Sequence, residues 1–470
     1  MKVEQLYTGC LAEAAYYIES NGEAAVIDPL RETEPYLERL KADNAKLKYV
    51  FETHFHADFV SGHLDLAKET GATIVYGPTA QPNFKAHVAL DNEIMKVGNV
   101  TIKILHTPGH TMESTTFLLR DENGKDYAIF TGDTLFIGDV GRPDLAIKQG
   151  EITERDLAGF LFDSLRNRIM PLNDDVIVYP NHGAGSACGK KMSKETWSYL
   201  GDQKKFNYAL RADMTRDEFV TEVLTGLVAP PQYFPKNAVM NKMGYESIKE
   251  VRERGEHALS VRAFKAAWEG NEALVLDTRP QDVFAKGFIP GSIFIGIDDT
   301  FAPWVGALIT DLKTPILFIA EEGKEDEVVT RLARVGYDNA IGYLEGGLEA
   351  WKKAGEEVDT LDEVTAEEFA KKFNGKNLNL LDVRRASEYN TEHLVGAANF
   401  PLDFINKNMS EVDRDTKYYL HCAGGYRSVI AASILKSRGF HNLVNIQGGY
   451  KAISETPLRR TEYVEQVTEL

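Results

Sequence analysis

The stretch "ALVLDTRPQDVFAKGFIPGSIFI" that begins at residue 273 returns as "NLLDVRRASEYNTEHLVGAANFP" at 379. Downstream of it, "TPILFIAEEGKEDEVVTRLARVGYDNAIGYLEGGLEAW" at 314 returns as "TKYYLHCAGGYRSVIAASILKSRGFHNLVNIQGGYKAI" at 416. Each copy alternates short apolar runs with helix-like segments and closes on Gly-Gly. The order strand, helix, strand, loop, helix, strand is that of a parallel α/β domain. A repeat of roughly 100 residues is longer than any solenoid period, so two tandem domains are expected. At about 150 residues per domain, a chain of 470 residues has room for three. The expected boundaries are 1–245, 256–356 and 360–470.

The first of the three carries most of the histidine: seven of the eleven lie before residue 183. There, strand-like runs end in metal-type residues. "LKYVFET" leads into His54, "VTIKILHTPG" into His110, "DYAIFTG" into Asp133 and "DVIVYPN" into His182. Open sheets gather their sites at strand ends, where loops converge. "THFHADFVSGH" adds His56 and Asp58 at alternate positions, then Phe59. Imidazole with carboxylate suits zinc or iron better than calcium or magnesium, which prefer oxygen alone. His63, His87 and His106 are read as ordinary surface or hydrogen-bonded residues. From about 190 to 255 the chain is more helical, with a capping box at Thr215 and Glu218. Pro230, Pro231 and Pro235 are expected to stop regular structure there.

Bulk properties narrow the function classes. A net charge of −18 gives no footing for nucleic acid or an anionic membrane surface. No uncharged apolar run is long enough to span a bilayer, and the N-terminus has no signal-peptide pattern. Three cysteines, Cys10, Cys188 and Cys422, make no disulfide framework, so a reducing, cytoplasmic setting is expected. Cys10 lies in an apolar stretch and is expected in the core; Cys188 follows the His182 loop closely enough to line the metal pocket.

Cys422 is different. It ends an apolar strand and opens a loop of Ala423, Gly424, Gly425 and Tyr426 that leads to Arg427, Ser428 and a helix. Backbone N–H groups, a helix N-terminus and an arginine stabilise a thiolate or persulfide, and lower a thiol pKa from about 8.5 into a range of roughly 3.5 to 7.5. Four residues separate Cys422 from Arg427, one fewer than in dual-specificity phosphatases. The first copy reads "FIAEEGKEDE" at this place, with Ala320 or a neighbour where the cysteine would be and acidic residues in place of the glycines and arginine, so it carries no sulfur on cysteine.

"THFHADFVSGH", "HTPGHTMES", "FTGDTLFIGDVGRPD" and "VYPNHGAGS" resemble the metallo-β-lactamase superfamily. That likeness implies an αββα sandwich with metal at one edge. Two-metal hydrolases of the superfamily, such as glyoxalase II, end the first motif Asp-His; Phe59 in place of that histidine removes a ligand of the second metal. "TPGHTMES" and "GDTLFIGDVGRPD" are most similar to the persulfide dioxygenases, a branch with one iron. The resemblance implies His54, His110 and Asp133 as ligands of one Fe(II) per chain, with His56, Asp58 and His182 orienting groups around them. The Cys422 loop, "LLDVR" with Asp382 and Arg384, and "QGGY" resemble the rhodanese family. The implied whole is an αββα sandwich followed by two rhodanese-like domains with parallel sheets, the first inactive. Its expected substrates are a small thiol persulfide and O2, with sulfite and thiosulfate as products; a homo-oligomer is left open. A glyoxalase II-like zinc thioester hydrolase fused to a sulfurtransferase is the alternative.

Overall fold

A computed structural model describes residues 1–146, 151–298, 300–373 and 379–464; the expected end of the last domain at 470 lies outside them. The chain divides into two compact units, one chiefly Met1–Ile248, the other Lys249–Leu332 with the chain from Tyr337 onward.

Period-two alternation builds the first unit. One sheet runs β1 (Lys2–Thr8), β2 (Glu13–Ser20), β3 (Glu23–Ile27), β4 (Lys46–Glu52), β5 (Thr73–Tyr76), β6 (His87–Val88). The other comprises β7 (Ile94–Val97), β8 (Val100–His106), β9 (Thr115–Arg120), β10 (Asp126–Gly132), β11 (Ile177–Pro180) and β12 (Ser198–Tyr199), also side by side in that order. In β2, Ala14, Tyr16 and Ile18 join Phe117 and Phe130 of the second sheet in the core between the sheets. Ala15 and Tyr17 point the other way, onto Tyr36, Leu40 and Leu66 of the helices Glu34–Ala42 and His63–Thr70. Ile129 of β10 faces Ala158 and Leu161 of the helix Glu154–Ser164, with Phe219 and Val223 of the helix Arg216–Leu224. Helix, sheet, sheet and helix stack in that order. Phe51 and Phe117, 4.9 Å apart across the middle, are fully buried and contribute about 1.5–3 kcal/mol each.

The second unit holds two five-stranded parallel sheets. The first copy is ordered β13 (Ala258–Leu259), β17 (Ala340–Leu344), β16 (Ile316–Ile319), β14 (Leu274–Asp277), β15 (Ile293–Phe294). The second repeats it as β18 (Asp362–Val364), β22 (Leu443–Ile446), β21 (Tyr418–His421), β19 (Asn379–Asp382), β20 (Ala397–Asn399). The duplicated sequence thus gives one strand order twice. The edge strands β13 and β18, of two and three residues, are too short to show periodicity.

Two expectations change. Pro235 does not stop structure: it occupies the first turn of the helix Phe234–Met243, where a missing N–H costs nothing. Cys10 is partly exposed, because it sits in the turn that follows β1. The capping box at Thr215 and Glu218 forms on both sides. Among the described residues no helix is long and apolar enough to cross a membrane.

Candidate metal centre and cysteine loop

His54 follows β4, His110 follows β8, Asp133 follows β10 and His182 follows β11, so four strand ends deliver four side chains to one edge of the sandwich. Two glycines let the backbones close in. Gly132, at φ +52°, would push a Cβ to within 2.5 Å of the Thr53 hydroxyl, and Gly109 would place one 2.4 Å from Leu161 Cα. Thr53 and Gly132 immediately precede His54 and Asp133, so this contact helps set the spacing of the two.

Three of the six expected side chains present donors to a common point. One donor atom from each of His54, His110 and Asp133 lies within 4.8 Å of the others, and all three residues are buried. Their outer atoms are already engaged. Thr53 Oγ1 donates to Asp28 Oδ2 at 2.8 Å and so accepts from His54 Nδ1 at 3.0 Å. His110 Nδ1 donates to the Arg142 carbonyl at 2.8 Å. Both rings therefore keep Nε2 for a ligand role. Asp133 Oδ1 accepts from His182 Nδ1 at 2.9 Å, while Asp133 Oδ2 is buried with no hydrogen-bond partner. An orphaned carboxylate oxygen facing two imidazoles fits a metal ion.

The other three are turned to different work. His56 Nε2 lies 3.0 Å from Asp28 Oδ1 and 3.2 Å from Glu52 Oε2. Its ring stacks on Phe59 with centroids 4.3 Å apart. His182 bridges two carboxylates, Asp133 on one side and Asp58 at 2.7 Å on the other. Burial lowers the pKa of both rings, but Asp28 and Glu52 outweigh it at His56, and Asp133 and Asp58 at His182; both end well above the usual histidine range. His54 goes the opposite way: burial, then the charge of His56, holds it well below that range and neutral. Burial would raise Asp133, yet His182 and His110 hold it below the ordinary carboxylate range. Cys188 sits with Asp58 and His182, and burial together with Asp58 and Asp133 raises its thiol well above the usual value. Of the three histidines read as ordinary, His63 is buried against Glu52 at 3.3 Å, His87 pairs with Glu93 at 2.6 Å, and His106 meets the Met112 carbonyl at 2.8 Å. Sequence reading missed Thr53, Asp28 and Glu52; the last two could have been found as carboxylates at the ends of apolar strands.

Cys422 is buried at the end of β21. Its Sγ accepts from the Gly425 N–H at 3.1 Å and lies 3.7 Å from Ser428 Oγ. Gly425, at φ +113°, caps the helix Tyr426–Ser437. The closing Gly-Gly-Tyr segment holds the loop from below: the Tyr450 N–H donates to the Cys422 carbonyl at 2.6 Å, the Lys451 N–H to Ala423 at 3.0 Å. A Cβ on Gly449 would strike the Cys422 carbonyl at 2.5 Å. Arg427 is tied to Glu388 by two bonds of 2.6 and 2.8 Å. The expected pair Asp382 and Arg384 forms, with Arg384 also donating to the Glu392 carbonyl at 2.9 Å. Asp277 and Arg279 do the same in the first copy, with Arg279 reaching the Gly287 carbonyl at 2.9 Å. A pair present with and without the cysteine belongs to the fold.

Comparison with known proteins gives the class. Residues 8–182 match the metallo-beta-lactamase superfamily, and residues 260–354 and 365–456 each match the rhodanese-like domain. Hydroxyacylglutathione hydrolase GloC of Haemophilus influenzae is 31% identical over 190 residues, covering 36% of this chain and 84% of that protein. A probable hydroxyacylglutathione hydrolase of Schizosaccharomyces pombe is 34% identical over 182 residues, 38% of this chain and 66% of its own length. The crystal structure of a metallo-beta-lactamase from Staphylococcus aureus superposes with a TM-score of 0.64 at 29% identity, covering 73% of this chain and 98% of that one. The chain belongs to the metallo-beta-lactamase superfamily and carries two rhodanese-like domains after that domain.

Proposed function

We propose that residues 1–245 form a persulfide dioxygenase with a single iron, that 360–470 form an active rhodanese, and that 256–356 are an inactive copy. The reaction is RS–SH + O2 + H2O → RSH + SO3²⁻ + 2H⁺, where RSH is a small thiol. The supporting observation is the fate of the second-metal position. Phe59 has no lone pair to offer, and His56 and His182 are each held between carboxylates. Of the three buried groups whose donor atoms lie within 4.8 Å of one another, His54, His110 and Asp133 form the two-histidine, one-carboxylate set; the others are Asp58, His182 and Cys188, and Asp28, Glu52 and His56. A ferrous ion held by His54, His110 and Asp133 would supply redox chemistry with oxygen. Around it, Thr53 and the Arg142 carbonyl fix the two imidazoles, and His182 holds Asp133 so that one oxygen faces the site.

In the last domain, Cys422 would take the outer sulfur of a second persulfide: RS–SH + Cys–S⁻ → RS⁻ + Cys–S–SH. Transfer of that sulfur to sulfite gives thiosulfate and restores the thiolate. The cradle of the Gly425 N–H and Ser428 hydroxyl supports a charged sulfur there.

A second reading rests on the names of the relatives, which are hydroxyacylglutathione hydrolases. It assigns a metal-activated water that cleaves a thioester. Metal analysis separates the two. The proposal expects one iron per active chain, with Asp133→Ala losing bound iron and persulfide-dependent oxygen uptake together. Two tightly bound zinc ions in active protein would overturn it.

A further inference from the structure

The internal duplication is a control for the cysteine site. Asp277 pairs with Ile319 across β14 and β16, and Asp382 with His421 across β19 and β21. That register sets Ala320 opposite Cys422, Glu325 opposite Arg427 and Asp326 opposite Ser428. Counted from the same aspartates, Val283 stands opposite Glu388. The copy without a sulfur-carrying cysteine has therefore also lost the arginine, its carboxylate partner and the hydroxyl, while keeping the Asp-x-Arg brace. Glu388 goes with the chemistry, not with the fold.

Its contacts say what it does. Both terminal nitrogens of Arg427 donate to its carboxylate. Arg384 is taken by Asp382, and Arg385 faces Asp403 at 3.4 Å. All three of these arginines face a carboxylate, and Arg427 is the one in the sulfur loop. The sulfur itself meets a backbone N–H and a hydroxyl. The persulfide group that reacts, whatever charges the rest of the thiol carries, is neutral or singly charged and needs no cation beside it. Thiosulfate and sulfite are dianions and gain from one.

We propose that Glu388 determines the donor specificity of the Cys422 site: by neutralising Arg427 it favours a thiol persulfide over a sulfur oxyanion. This rests on the reading of Cys422 as a sulfur carrier. The disfavoured step is S–SO3²⁻ + Cys–S⁻ → Cys–S–S⁻ + SO3²⁻, in which the S–S bond of thiosulfate breaks, the bond to Cys422 forms and sulfite leaves. Run backwards it is product formation, in which the same masking loosens the hold on sulfite as acceptor and on thiosulfate as product alike.

Glu388→Gln tests this in the full chain. The amide keeps the shape of the side chain and still accepts the Arg385 N–H, now 3.1 Å from Glu388 Oε2, but carries no charge. Single-turnover loading of Cys422 is followed by mass spectrometry with thiosulfate and with glutathione persulfide as donors. The half-saturating thiosulfate concentration should fall roughly two- to fivefold, the scale of a part-exposed ion pair. With persulfide it should change less than twofold, and adding Arg427→Gln should erase the gain. Glu388→Asp, with a shorter reach to Arg427, should give a smaller gain in thiosulfate loading. A Glu388→Gln protein that loses both donors alike, or gains nothing for thiosulfate while wild type loads normally, overturns the proposal alone. Wild type that loads no sulfur at Cys422 from either donor overturns the carrier reading beneath it.

Discussion

Replacing Thr53 by valine keeps the shape of the side chain beside Gly132 and removes one hydroxyl. That hydroxyl joins Asp28 to His54, at 2.8 and 3.0 Å, and all three residues are buried. Asp28 keeps the Thr53 backbone N–H at 2.7 Å, so its carboxylate stays anchored. What is lost is the acceptor for His54 Nδ1, on a side of the ring where Thr53 and Asp28 are themselves buried. An orphaned buried donor costs about 1–3 kcal/mol, and the ring is free to adopt the tautomer that turns a proton toward the metal. Removing such an orienting partner typically weakens metal binding about 10- to 100-fold. Anaerobic titration of the metal-free protein with Co(II), a spectroscopically visible stand-in, measures this directly. Thr53→Val should bind Co(II) at least tenfold more weakly, and Thr53→Ser should restore wild-type affinity. Affinity within twofold of wild type in the valine variant would refute the assignment of His54 Nε2 as a ligand fixed from behind.

The duplicated brace gives a second expectation. Asp277→Asn and Asp382→Asn should lower the thermal stability of their own domains by similar amounts, about 3–5 kcal/mol for a broken buried pair, yet the sulfur-loading rate per folded molecule at Cys422 should be unchanged in the first; a selective loss of loading there would show coupling between the copies. Cys422→Ser should retain iron and persulfide-dependent oxygen uptake but release sulfite in place of thiosulfate, since a serine hydroxyl holds no persulfide; undiminished thiosulfate, after subtraction of the uncatalysed reaction of sulfite with persulfide, would contradict the series arrangement.

Much of this was legible in the chain because apolar runs are countable. β4, β8, β10 and β11 are marked by their apolar runs, and each leads into a metal-type residue as expected. The repeat revealed two domains of one topology, since two copies of a pattern are harder to misread than one. What stayed hidden depends on contacts between distant segments. Nothing local distinguishes the Thr53 hydroxyl from any other, and its role appears only when Asp28, 25 residues earlier, comes within hydrogen-bond reach. The resemblance implied that His56 and His182 orient the ligands; which carboxylates engage them, Asp28 and Glu52 for His56 and Asp133 and Asp58 for His182, appears only when separate strand ends meet. Cys10 was misjudged because an apolar neighbourhood in sequence became a turn in space.

Oxygen uptake by iron-loaded protein is the most direct test of the central claim. With glutathione persulfide or coenzyme A persulfide as substrate, one O2 should be consumed for each sulfite formed, thiosulfate sulfur being counted back to sulfite. The same protein should leave a hydroxyacylglutathione thioester intact. Rapid thioester cleavage without persulfide-dependent oxygen uptake would contradict the account and make the chain a hydrolase like its relatives.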